Sequence, residues 1–137
     1  MDKKILRIID VNLNRAREGL RVCEDIARFI LNDSNATSQL KSLRHKIKRI
    51  IISSSLNKRL LHESRDVAKD CATDFSPLEK KSNWQSIFFA NIQRTKESLR
   101  VLEEFFNLSN SKISEKFKDL RFQAYKLEKR LTERYFK

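Results

Sequence analysis

Asn12-Leu13-Asn14-Arg15-Ala16-Arg17-Glu18-Gly19-Leu20-Arg21-Val22-Cys23-Glu24 is answered later in the chain by Asn91-Ile92-Gln93-Arg94-Thr95-Lys96-Glu97-Ser98-Leu99-Arg100-Val101-Leu102-Glu103, at a constant offset of 79. The identities are Asn12/Asn91, Arg15/Arg94, Glu18/Glu97, Leu20/Leu99, Arg21/Arg100, Val22/Val101 and Glu24/Glu103. A repeat serving only a core would keep hydrophobes and let polar residues drift. Here Asn, Arg and Glu spaced three apart are kept, which suggests duplication of a site together with its scaffold. A solenoid needs at least about three short repeats to bury its faces. Two copies of a larger unit instead fit one compact domain with internal pseudo-twofold symmetry.

The composition agrees with a helical reading. The 137 residues hold one glycine and one proline, too little punctuation for sheets and tight turns, and their length suits a single domain. No signal peptide is visible, and no apolar stretch approaches the roughly 20 residues of a membrane span. Cys23 and Cys71 form neither a CxxC motif nor a disulfide framework, which points to a reducing, cytoplasmic location. The formal charge of +12 calls for an anionic partner, either nucleic acid or a phosphorylated small molecule. An anionic membrane surface ranks third, because no basic helical face also carries exposed Trp or Phe.

Four helical segments can be read. The first spans about 3 to 31, with Asp2 as N-cap and Asn32-Asp33-Ser34-Asn35 as its stop. The second spans about 37 to 61, and a loop over about 62–75 follows. The third starts at Ser76-Pro77-Leu78-Glu79 or at the box Ser82-Asn83-Trp84-Gln85 and runs to about Asn107. The fourth, after Ser109-Asn110-Ser111, reaches the end. Two hairpins (about 3–61 and 77–136) around one long connection give the expectation of an all-α, up-down-up-down four-helix bundle. Helices one and three would then run parallel, with their N-termini beneath the central loop. Eight of the nine Phe lie from Phe75 onward, so the second hairpin should carry the bulkier part of the core.

On a wheel of about 100° per residue, Asn12 sits at the centre of the apolar face and Arg15 about 60° to one side. Asn91 and Arg94 repeat these angles in the third helix. An unpaired amide facing a core costs on the order of 2–7 kcal/mol, so these groups need a network, a ligand or water. Gly19, the only glycine, stands mid-helix, where it costs roughly 1 kcal/mol against Ala and permits close approach by a helix or a ligand. The plainer reading of one copy is an Arg15–Glu18 intrahelical pair and a register-fixing Asn. Arg44 and Arg121 form a weaker echo at an offset of 77, best read as interhelical ion pairs, with Arg44 near the level of Asp25. Trp84 and Cys23 read as core, and His45 and His62 show no metal spacing.

The loop Ser64-Arg65-Asp66-Val67-Ala68-Lys69-Asp70-Cys71-Ala72-Thr73 would cross the end of the bundle where the repeated residues converge. With Asn12 to Val22, Leu43-Arg44-His45 and Asn91 to Glu104, it makes nearly the whole chain resemble a small helical family of thiamine biosynthesis. Its members are hydroxymethylpyrimidine phosphate kinases, found alone or fused ahead of thiamine phosphate synthase. The chain departs from the family at Cys71-Ala72 and Ser98. No synthase sequence follows, so the expectation is the standalone form.

The resemblance implies transfer of the γ-phosphoryl of ATP, with Mg²⁺, to 4-amino-5-hydroxymethyl-2-methylpyrimidine phosphate. It casts Arg15, Arg94 and Arg65 as phosphate-binding residues, with Asn12, Asn91, Gly19 and Thr73 about the substrates. Glu18, Glu97, Asp66 and Asp70 become the candidate Mg²⁺ ligands. The GxxxxGK[ST] loop is absent, but an acceptor that is already a phosphate anion needs no base, only alignment and neutralisation. A basic nucleic-acid-binding bundle is the alternative from another class, and an all-helical mutase acting on a dicarboxylate is the second enzyme reading. A monomer or a homodimer is expected.

Overall fold

Asp2 opens the first helix by accepting a hydrogen bond from the Lys4 N–H at 2.7 Å. Helix α1 then runs Lys3–Asp25 and passes without a break into a π-helical turn, Ile26–Ile30. In this computed structural model residues 1–54, 56, 58–65 and 80–136 are described. Asn32, at φ 50°, turns the chain out of the π segment, a left-handed conformation that Asn tolerates better than most residues. Asp33 then caps α2 (Ser34–Ser53) through the Ala36 N–H at 2.9 Å. A short α3, Lys58–Glu63, follows. Asn83 caps α4 (Trp84–Phe106) and Asn110 caps α5 (Ser111–Tyr135). Of the two boxes read for the third helix, the second is the start. Every secondary-structure element among the described residues is a helix.

Helix α1 packs against α4 and α2, and α5 packs against α4 and α2. The α1–α4 seam gives the direction. Thr95 Oγ1 donates to Ala16 O at 3.3 Å, a Cβ on Gly19 would lie 2.8 Å from Asn91 O, and Cys23 Sγ stands 3.8 Å from Phe88 O. Numbers rise along α1 as they fall along α4. The two helices are antiparallel, and the expected parallel pairing is wrong.

The bundle therefore runs up-down-down-up. One end gathers Met1, Leu6, Ser54, Leu60, Phe106 and Ile113 around a hollow of about 350 Å³. The other gathers Asp33 with Tyr135, and Trp84 with Phe136. The end of α2 and the start of α4 thus lie at opposite ends of the bundle, and α3 lies against α1.

The core confirms the asymmetry of the aromatics: Phe88, Phe106 and Phe117 are fully buried, and all come from the second hairpin. Burying a side chain of this size contributes about 1.5–3 kcal/mol. Each hairpin is also clamped by charge. Arg44 Nη2 lies 3.2 Å from Glu24 Oε2, and Arg121 Nη2 lies 3.2 Å from Glu103 Oε2. Arg21 and Arg100 reach the same carboxylates at 3.5 and 3.4 Å from solvent. Of the motif's repeated charges, Glu24 and Glu103 thus brace consecutive long helices, and Arg21 and Arg100 support them from within their own helices. Arg44 pairs with Glu24, one residue from the level expected.

Candidate functional site

Between α1, α2 and α3 lies a cavity of about 470 Å³. Its apolar lining is Leu13, Ile47, Ile51 and Leu61, and its polar lining is Asp10, Arg17, Lys48, Lys58, Arg59, His62 and Arg65. The arrangement follows from helical spacing. Asp10, Leu13 and Arg17 stand three and four apart on one face of α1, as Ile47, Lys48 and Ile51 do on α2. Helix α3 supplies the third wall, held down by the Arg7 guanidinium donating to Ser64 O at 2.7 Å.

Asp10 organises the mouth. Its carboxylate, 4% exposed, receives Arg65 Nε at 2.6 Å and Arg65 Nη2 at 2.9 Å, a two-point contact between fork and carboxylate. Hydrogen bonding to Asp10 raises the Arg65 pKa above its ordinary value. Arg65 Nη1 stands 3.3 Å from His62 Nδ1, and Arg17 is steadied by Asn14 Oδ1 at 2.8 Å. Lys48 has no partner among the described residues. Of the five cations in the lining, Arg65 is paired with Asp10 and Arg59 with Glu63 at 2.9 Å, which leaves Arg17, Lys48 and Lys58 to set the charge of the rim. Such a site favours an anion at its rim, while the apolar floor takes a flat ring.

Of the described residues proposed from sequence, Arg65 alone lines this cavity. Arg15, Glu18, Arg94 and Glu97 are exposed, which corrects the expectation that both guanidinium groups look inward. The buried arc of α1 is centred near Leu13, Ala16 and Leu20 rather than on Asn12, because the helix packs against α2 as well as α4. Arg15 therefore falls beyond its edge, on the flank of the seam away from α2. Arg94 occupies the same relative place on α4.

Asn12 and Asn91 satisfy themselves locally: each Nδ2 donates to the carbonyl four residues back, Ile8 O and Ile87 O, at 2.8 Å. One N–H of each amide is thus used within its own helix. The closeness that Gly19 permits is to a helix, since a Cβ there would collide with Thr95 Oγ1. Asp66, Asp70 and Thr73 lie outside the described residues.

Sequence reasoning missed Asp10, the organising carboxylate. It weighed residues by repetition, and Asp10 has Phe89 at the matching position. The available signal was the shared face of Asp10, Leu13 and Arg17. Among the described residues no group of three or more His, Cys, Asp or Glu could hold a metal ion. Among the described residues the only carboxylate lining the cavity, Asp10, is paired with Arg65, so the described residues alone do not make a Mg²⁺ site. Cys23 is buried, and burial first, then the Glu128 charge, pushes its thiol up to about 12. It is no nucleophile in the folded state.

An all-helical protein with a cation-rimmed, apolar-floored cavity is the class that fold and site define. Comparison with known sequences sharpens this: the profile of the ThiD2 family matches residues 7–130, and the chain belongs to that family. It is 37% identical over 129 residues to the thiamine-phosphate synthase of Nostoc sp. (strain PCC 7120), covering 93% of this chain and 35% of that protein. The synthase of Rhodopirellula baltica is 37% identical over 125 residues, 90% of this chain and 33% of that one. That of Thermosynechococcus vestitus is 36% identical over 132 residues, 95% and 36%. The chain thus spans about a third of the length of these relatives, and its likeness is to proteins of thiamine biosynthesis. No solved structure matches. No described helix is long and apolar enough to cross a membrane.

Proposed function

We propose that the protein is an enzyme of thiamine biosynthesis that transfers the γ-phosphoryl of ATP to 4-amino-5-hydroxymethyl-2-methylpyrimidine phosphate, in the cavity between α1, α2 and α3. The observation that carries this reading is the pairing of an apolar floor with a cationic rim, Arg17, Lys48 and Lys58, beside the paired Asp10 and Arg65. The floor of Leu13, Ile47 and Ile51 suits the methylpyrimidine ring. The rim of Arg17, Lys48, Lys58 and Arg65 suits phosphate oxygens. An oxygen of the acceptor phosphate attacks the γ-phosphorus, the bond to the β-phosphate oxygen breaks, and ADP leaves. No proton must be removed from the attacking oxygen, so the chain's task is alignment and charge neutralisation. Asp10 fixes the Arg65 fork for that purpose.

The membership in the ThiD2 family and the likeness to thiamine-phosphate synthases support the pathway. A module that activates the pyrimidine as its diphosphate is a suitable companion to one that makes thiamine phosphate. We place a pseudo-twofold axis at the Ala16/Thr95 contact, relating the two hairpins. The duplicated clamps Glu24–Arg44 and Glu103–Arg121 and the duplicated Asn back-bonds support it.

The test is direct: purified protein with ATP, Mg²⁺ and the pyrimidine monophosphate, scored for the pyrimidine diphosphate and ADP in equal amounts. ADP without pyrimidine diphosphate, or no turnover at all, refutes the kinase.

A further inference from the structure

The hairpins carry the same frame, yet the surface matching the first cavity is built differently. Through the offsets of 79 and 77, Asp10, Arg17, Lys48 and Ile51 correspond to Phe89, Lys96, Tyr125 and Glu128. Lys96 is only 7% exposed. Its Nζ lies 2.7 Å from Glu128 Oε1 and 4.3 Å from the centre of the Tyr125 ring. Phe89, in place of the organising carboxylate, packs against Phe136 with ring centroids 4.9 Å apart. Cation, acid and aromatic cover thus neutralise and cap one another. Over them remains a more open depression, with Lys96 and Tyr125 in its lining.

The contrast is chemical as well as steric. Arg17 faces Lys48 and Ile51, neither of which can neutralise it, so its charge stays available at a cavity rim. Lys96 faces Glu128, so its charge is spent internally. A buried cation already paired at 2.7 Å offers an incoming phosphate little net attraction, and exposing it costs the pair.

We infer that the second hairpin holds a closed counterpart of the ligand cavity, sealed by Lys96, Glu128 and Tyr125, so that each chain binds one pyrimidine phosphate, in the first hairpin. This rests on the reading of the first cavity given above. It also requires ATP to meet its acceptor at the first hairpin, because the matching residues of the second pair with one another.

Calorimetric titration with 4-amino-5-hydroxymethyl-2-methylpyrimidine phosphate tests both layers separately. The wild-type chain should bind one equivalent. Lys48→Glu should weaken binding at least tenfold, while Tyr125→Glu, the matching change on the other hairpin, should stay within twofold. Two equivalents per chain, or equal damage from both substitutions, overturns the closed counterpart and leaves the first cavity standing. No binding to the wild type removes the cavity reading itself, and this inference with it. The double variant Tyr125→Lys/Glu128→Ile, checked for a cooperative melt, should gain a second, weaker equivalent by freeing Lys96. A folded double variant that still binds one equivalent contradicts the seal.

Discussion

Asp33 shows how much one side chain can hold. Its carboxylate caps α2 at Ala36, accepts the Tyr135 hydroxyl at 2.7 Å and meets Arg134 at 3.5 Å, tying the α1–α2 turn to the end of α5. The Ala36 N–H first, then the Tyr135 hydroxyl, holds its pKa below the ordinary carboxylate value, and the same contact raises that of Tyr135. A lowered folded-state pKa stabilises the fold above the unfolded-state value, and that contribution is lost as pH falls through the folded-state value. Melting temperatures from pH 7 down to pH 3 should therefore drop more for wild type than for Asp33→Asn, which keeps a cap but no charge. Equal slopes would contradict the clamp. Asp33 was legible only as part of a polar stop between helices. Nothing local in the sequence announced that Tyr135, a hundred residues away, would come to it.

At the scale of the helix, the wheel found the right amphipathic elements and misplaced their edges. An apolar arc centred on Asn12 assumes one neighbour, whereas α1 has two, α4 and α2, and its buried arc is displaced toward Leu20 and Glu24. That displacement puts Arg15 outside and makes Asp10 the inward acid. Gly19 was rightly marked as a point of close approach, and the partner is α4. Gly19→Ala places a methyl against Thr95 Oγ1 and 2.8 Å from the Asn91 carbonyl, which is backbone and cannot rotate away. The expected cost is about 1–3 kcal/mol of overpacking, beyond the gain in helix propensity, measured by urea unfolding. A stabilised Gly19→Ala variant would mean that the seam is looser than described.

Across the whole molecule, hairpins were legible and their relative direction was not. The connection over 54–83 is long enough to return at the same end or to run the length of the bundle. A 20-residue helix measures only about 30 Å, and thirty extended residues reach roughly 100 Å. Sequence therefore left up-down-up-down and up-down-down-up equally reachable, and the Ala16–Thr95 contact decides between them. If the two hairpins are equivalent in frame, Arg44→Ala and Arg121→Ala should each cost about 1–3 kcal/mol by leaving a largely shielded glutamate underpaired. The two losses, read by chemical denaturation, should agree within about 1 kcal/mol, and a large disparity would count against equivalence.

The repeat pointed to a site at Arg15 and Arg94, whereas the site proposed above lies where the copies differ, at Asp10 and Lys48. The most direct test of that claim compares Lys48→Glu with Arg15→Glu in the assay for pyrimidine diphosphate formation from ATP and the monophosphate. The cavity account predicts that Lys48→Glu loses at least tenfold in kcat/KM while Arg15→Glu stays within a few-fold of wild type. Loss confined to Arg15→Glu would move the chemistry to the α1–α4 seam and contradict it.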